Sequence, residues 1–220
     1  MIPTRDAGPS FMRRSRIERE LLIIGHPRSG TGYMARLLGT LGLDVGHEEM
    51  HEHGISSWMF AATTDGVPFS TDGTARAQFD FRHVIHVVRD PLRVISSTVF
   101  TELPNRKVFG YMRRFIALGS SGGRIEQACR SYLGWNKLIE SQSPDIRVQV
   151  EMAPDVLPEF LRKAGVEIVP SAVRELPPTN YNSRPHPSLS GSKIRSAIPQ
   201  ELWEELVEYA RMIGYEITAD

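Results

Sequence analysis

The chain has 220 residues, enough for one sizeable domain. Lys+Arg and Asp+Glu both number 26, so no net charge draws nucleic acid to the molecule as a whole, and an anion site has to come from a local cluster. The single cysteine, Cys129, excludes an intramolecular disulfide framework.

No apolar run approaches membrane-spanning length. The basic start, "MIPTRDAGPSFMRRSRIERE", lacks the apolar centre of a signal peptide. The expectation is a cytoplasmic protein with a disordered arm over 1–19 and one domain over 20–220. "LLIIG", Leu21 to Gly25, is an unbroken apolar run that predicts a strand buried on both faces. "HPRSGTG" follows. Met34, Leu37, Leu38 and Leu41 then recur at helical spacing up to Gly42. "LDV" predicts a short strand, and "GISSWMFAATTDGVPF" a helix and loop. "HVIHVVRD" predicts a strand, with a helix from Pro91 after it carrying Leu92, Ile95 and Val99 on one face. "RIEQACRSYLGWNKLIES" predicts a long helix with Ile125, Cys129, Tyr132 and Ile139 inward. "RVQVE" predicts a strand, and "PDVLPEFLRKAG" a short helix that tolerates Pro158 in its first turn. "PPTNYNSRPHPSLSGSK" predicts a loop. "PQELWEELVEYARMIG" closes the chain as an amphipathic helix on Leu202, Leu206, Tyr209 and Ile213. Strands alternating with helices mean α/β: a three-layer P-loop-type domain with a mainly parallel sheet flanked by helices.

Gly25-His26-Pro27-Arg28-Ser29-Gly30-Thr31 places two glycines at P-loop spacing between a strand and a helix. Backbone N–H groups at such a helix start bind phosphate oxygens. The nucleoside-triphosphate pattern wants Lys after the second glycine; here Thr31 holds that position, and Arg28 is the nearest cation. The loop therefore suits an anionic group with less charge and no metal.

"GHPRSGTGYMARLL" resembles the 5′-phosphosulfate loop of sulfotransferases that use 3′-phosphoadenosine 5′-phosphosulfate (PAPS). Gly32 stands where that family commonly has a second hydroxyl. "VVRDPLRVISS" resembles the family's second anchor, an Arg and a Ser eight residues on. The resemblance implies that Pro27, Arg28, Ser29, Gly30, Thr31 and Gly32 hold the 5′-phosphosulfate, and that Arg89 and Ser97 hold the 3′-phosphate. By position rather than motif, it also implies a late basic residue closing over that phosphate: Arg184 first, with Lys193 and Arg195 as fallbacks. PAPS is then the co-substrate and PAP the product. No metal is implied. The acceptor is a hydroxyl or amine on a small molecule or carbohydrate.

"VGHEEMHEHG" contains H-E-x-x-H, His47 to His51, which on a helix could grip zinc. A strand before it and Gly54 close behind argue against a helix, and the third ligand of the longer pattern falls on Ser57. The resemblance gives the stretch another use, as the seat of the base that takes the acceptor's proton. Glu48 or Glu49 would take that proton; Glu48 leaves the strand first and is the leading choice, with His47 and His51 as second choices. Trp58 and Phe60 are candidates for the acceptor wall, with core packing as the competing role. Arg113 and Arg114 fit either an acidic acceptor or a solvated helix face. The alternatives are a P-loop kinase or nucleotide hydrolase, and a non-catalytic nucleotide-binding protein of the same fold. A monomer or homodimer is expected, with neither nucleic acid nor membrane as partner.

Overall fold

The structure, a computed structural model, describes residues 16–64, 66–104, 106–119, 122–169 and 184–219. Five strands make one sheet: β1 (Ile17–Gly25), β2 (Val45–His47), β3 (Gly54–Ser56), β4 (Phe79–Val88) and β5 (Ile146–Gln149). Their order is β2-β3-β1-β4-β5, and every adjacent pair is parallel. The helices are α1 (Thr31–Thr40), α2 (Pro91–Ser97), α3 (Arg106–Met112), α4 (Arg124–Glu140), α5 (Ala153–Lys163), α6 (Gly191–Arg195) and α7 (Gln200–Met212). The expected α/β class, a parallel sheet between helical layers, is what the chain adopts.

The layers follow from alternation along β1. Leu21 and Ile23 pack with Met34, Leu37 and Leu38 of α1 and with Leu157 and Leu161 of α5. Leu22 and Ile24 pack into a second cluster with Ile55, Phe60, Trp135 and Ile139. A third cluster joins Val88 to α2, α4 and α7. Each of these side chains stabilises the fold by about 1.5–3 kcal/mol relative to exposure. Because both faces of β1 gain alike, burial alone would tolerate a one-residue slip. Glycines remove that freedom. A Cβ on Gly25 would lie 2.6 Å from the Val87 carbonyl oxygen, and one on Gly54 would lie 1.8 Å from that of Leu21. These registers place a glycine at each of these two close backbone approaches.

Several elements differ from expectation. Ile17–Arg19, assigned to the arm, begin β1; residues 1–15 lie outside the described residues. β3 was not foreseen: three residues are too few for a recognisable alternation. Residues 54–69, expected to form a helix and loop, instead hold β3 and one 3₁₀ turn, Met59–Ala61. Pro158 sits inside α5 rather than in its first turn, and Pro154 takes the starting position. The late loop ends in the short helix α6, capped by the Ser190 hydroxyl on the Lys193 N–H. The rest of α1, α2, α4 and α7 lies where the spacing placed it.

A buried polar network ties α4 to β4 and β5. His86 is fully buried; its Nδ1 lies 2.8 Å from Glu140 Oε1 and its Nε2 2.9 Å from Asn136 Oδ1. Arg147 Nε donates to the same Glu140 oxygen at 2.6 Å. Burial opposes ionisation of Glu140, but the contacts from His86 and Arg147 win and hold its carboxyl down from 4.5 to about 2. A depressed carboxyl contributes stability above its unfolded pKa and loses it as pH falls through the folded one. Glu140→Gln is therefore expected to cost about 3 kcal/mol near neutrality. In denaturant titrations the gap to wild type should close between about pH 4.5 and 2. A gap that stays constant over that window would contradict this role.

Candidate active site

The chain runs from β1 outward to β2 and β3, then crosses back to β4 on the other side of β1. In an open parallel sheet, the crevice beyond the strand ends at such a reversal is where ligands bind. Here the loop after β1 and the residue after β4, Arg89, meet there.

The loop has a defined shape. His26 is fully buried after β1, and burial pushes its pKa to about 3, so the ring is neutral. Its Nδ1–H donates to the Pro27 carbonyl at 2.6 Å, and its Nε2 lies 3.2 Å from the Ser131 hydroxyl. Arg28 has φ 74 and Gly30 φ 106. A left-handed arginine is strained, while the glycine is not. A Cβ on Gly30 would sit 2.6 Å from Val150 Cγ2, so the loop also packs tightly on the chain after β5. Gly30 then caps α1, whose first N–H groups face the crevice with no side-chain cap.

Three guanidinium groups converge on this end. Arg28, Arg89 and Arg184 line one cleft of about 270 Å³ with Thr31, Gly32, His47 and Glu48. Burial first, then the charges of Arg184 and Arg89, push the Arg28 pKa down, and Glu102 opposes them. Arg28 Nε donates to Ser97 Oγ at 3.0 Å and lies 3.8 Å from Glu102 Oε1. Arg89 Nε is buried with no hydrogen-bond partner among the described residues, and its ion pair with Glu151 is long, 3.9 Å. Tyr132 fixes the Arg89 carbonyl at 3.1 Å. Asp90 does not neutralise Arg89; it caps α2 at the Leu92 N–H, 2.8 Å. Ser29 Oγ is fully buried, also with no partner among the described residues. Unpartnered buried donors beside like charges mark a place prepared for an anion.

Glu48 lines the same cleft as these arginines. It leaves β2 with φ 60, a strained value for this residue. Burial pushes its pKa up to about 7, against a hydroxyl donated by Ser57 and the backbone N–H of Trp58. Its Oε1 is buried with no hydrogen-bond partner among the described residues, and lies 3.7 Å from His47 Nε2. A carboxylate poised near neutrality with one free oxygen suits proton removal.

No family model and no curated protein matches the sequence. Among solved structures, mouse sulfotransferase SULT7A1 complexed with PAP is similar at 12% identity over 89% of this chain and 87% of that one, with a TM-score of 0.44.

The sequence-derived candidates separate clearly. Pro27, Arg28, Gly30, Thr31, Gly32, His47, Glu48, Arg89 and Arg184 line the cleft. Ser29 and Ser97 are buried behind it, Ser97 holding Arg28. Glu49 is exposed and faces His51, 3.7 Å away, and His51 is bound to Asp44 at 2.7 Å. The two imidazoles of H-E-x-x-H thus have separate partners. Lys193 and Arg195 are exposed on α6 and are not among the lining residues. Trp58 lines the cleft, whereas Phe60 is fully buried in the core. Arg113 is exposed, and Arg114 lies over the rings of Tyr111 and Phe115.

Glu102, Phe69 and Val108 belong to the cleft without having shown in the sequence. Glu102 is delivered by a π-turn, Thr98–Glu102, that continues α2, with the Leu103 N–H bonded to the Thr98 carbonyl at 2.9 Å. Bonding from i to i+5 brings Ser97 and Glu102 to the same guanidinium. A larger cavity, about 560 Å³, opens around Arg16, Arg76 and Asp80. It lacks this convergence: Arg16 is paired with Asp80, and Arg76 with the Phe60 carbonyl and Gln142.

Proposed function

We propose that this chain binds PAPS and moves its sulfuryl group to an acceptor hydroxyl or amine. The observation that carries this reading is the convergence of Arg28, Arg89 and Arg184 with a P-loop in one cleft that also holds a near-neutral carboxyl, Glu48. Arg89 Nε, buried with no hydrogen-bond partner among the described residues, and the start of α1, which has no side-chain cap, fit a ligand with anionic groups at two points. Two groups that a nucleoside-triphosphate site uses are missing from the chain: Thr31 replaces the lysine and Gly32 the magnesium-binding hydroxyl. That disfavours the kinase alternative.

PAPS, when bound, supplies an activated sulfur and a phosphate leaving group. Loop amides and Arg28 hold the 5′ end and take up charge on the leaving phosphate oxygen. Arg89 and Arg184 bind the 3′-phosphate, and Ser97 acts through Arg28. Glu48 receives the acceptor's proton as the acceptor oxygen or nitrogen bonds to sulfur and the sulfur–oxygen bond to the 5′-phosphate breaks. Trp58, Met59, Phe69 and Val108 supply the apolar part of the same cleft and fit the body of an apolar acceptor. Among the described residues, no helix is long and apolar enough to cross a membrane.

Incubation with sulfur-labelled PAPS and a panel of phenols, alcohols, amines and sugars tests this. Label transfer by wild type but not by Glu48→Gln is expected. PAP binding without transfer to any acceptor would favour the non-catalytic alternative.

A further inference from the structure

The imidazole of His47 lies directly over Gly32. A Cβ built on Gly32 would meet His47 Cε1 at 3.2 Å, Nε2 at 3.4 Å and Nδ1 at 3.5 Å. Gly32 is the second residue of α1, the position at which nucleoside-triphosphate P-loops carry a magnesium-binding hydroxyl and the sulfotransferases that this loop resembles commonly carry a second hydroxyl. The space for a side chain there is filled by a ring from another strand. That ring is also positioned by function-bearing neighbours. His47 Nε2 is 3.4 Å from Thr31 Oγ1 and 3.7 Å from Glu48 Oε1. Both contacts are too long to be good hydrogen bonds, so this nitrogen has no strong partner of its own among the described residues. It stands between the loop hydroxyl and the carboxyl that faces the acceptor.

Resting on the sulfuryl-transfer reading, we propose that His47 takes over the work of the absent hydroxyl at position 32, its Nε2–H donating to an oxygen of the transferred sulfuryl group. Gly32 and His47 are then one device. The glycine is small because the imidazole needs the room, and the imidazole reaches a point that a side chain on α1 would otherwise serve. The His47 side chain is 41% exposed, and the burial of the rest of it pushes its pKa below the ordinary value, so the neutral ring carries one N–H to give. A neutral donor holds the sulfuryl oxygens without competing with Glu48 for the acceptor's proton. The role is a contact to the moving group, distinct from that of the base.

The test uses four proteins: wild type, His47→Ala, Gly32→Ser and the double variant. Calorimetry without acceptor measures affinity for PAPS and for PAP, which differ by the sulfuryl group alone. His47→Ala is expected to weaken PAPS about tenfold, as for one lost hydrogen bond to a charged group, and to leave PAP within about twofold. Gly32→Ser in the presence of His47 should weaken PAPS, because the new side chain displaces the ring. Gly32→Ser added to His47→Ala should restore PAPS affinity to within about threefold of wild type, since the hydroxyl returns to the place the ring left. The rising limb of the pH–rate profile should survive in His47→Ala, because the base is untouched. Equal loss of PAP and PAPS affinity in His47→Ala, a double variant no better than His47→Ala, or loss of the pH limb would each overturn the proposal. Those outcomes leave wild-type PAP binding intact, whereas failure of the wild type to bind PAP would strike the sulfuryl-transfer reading itself.

Discussion

Glu48→Gln is expected to slow sulfuryl transfer by about 10²–10⁴-fold and to leave PAP affinity within about twofold. The amide keeps the shape of the side chain and its contact with Ser57 but cannot accept a proton. The pH dependence gives a second signature. Burial raises the Glu48 carboxyl to about 7, and the reactive form is the ionised one. In wild type kcat/KM should therefore rise with pH through an inflection near 7; in Glu48→Gln the residual rate should be flat there. Stability should move the other way. A carboxyl whose pKa is raised on folding is favoured in its neutral form, so the cost of burying its charge is absent below about 4.5 and complete above about 7. Glu48→Gln should accordingly stabilise the fold at alkaline pH and change it little in acid. Glu49→Gln is the control, because Glu49 is exposed and faces His51. A dead Glu49→Gln with an active Glu48→Gln would shift the base by one residue.

Arg89→Ala is expected to weaken PAP binding by about 2–4 kcal/mol, roughly 30- to 700-fold in Kd. The size follows from how little Arg89 is satisfied without ligand. Its Nε is buried with no hydrogen-bond partner among the described residues, Nη1 reaches the Arg28 carbonyl only at 3.5 Å, and Glu151 stands 3.9 Å away. Glu151 is itself held by the Tyr215 hydroxyl at 2.6 Å, so it does not swing in to neutralise the guanidinium. The same substitution should barely change affinity for adenosine 5′-phosphate, which lacks the group that Arg89 is assigned. Equal losses for both nucleotides would place Arg89 elsewhere in the site.

What the sequence revealed and what it hid divide along physical lines. β1, β4 and the helices after them were legible because each carries a long apolar period bounded by glycine or proline. The loop from Gly25 to Thr31 was legible because its glycines serve backbone geometry that nothing else satisfies, seen in the Gly30 φ of 106 and the 2.6 Å approach at Gly25. β3 was hidden by its length. It forms because Gly54 allows the chain to return beside β1 after only six residues, Glu48 to His53. That compact return also separates Glu48 from Glu49. It turns the first into the cleft and leaves the second in solvent, a distinction no spacing rule supplies. Glu102 was hidden for another reason. An α-helical continuation of α2 would not place it with Ser97 on Arg28, and the π-turn that does has no residue signature. The place of His47 over Gly32 likewise depends on β2 running beside α1, a tertiary fact.

The most direct measurement is a calorimetric titration of the wild-type protein with PAP and with adenosine 5′-phosphate, in buffer containing EDTA. A site built from Arg28, Arg89 and Arg184 around a 3′,5′-bisphosphate should bind PAP at least about 30-fold more tightly, the loss assigned to the 3′-phosphate contact. Chelation of divalent cations should not weaken that binding. Equal affinity for the two nucleotides, or binding of PAP that vanishes with EDTA, would contradict it.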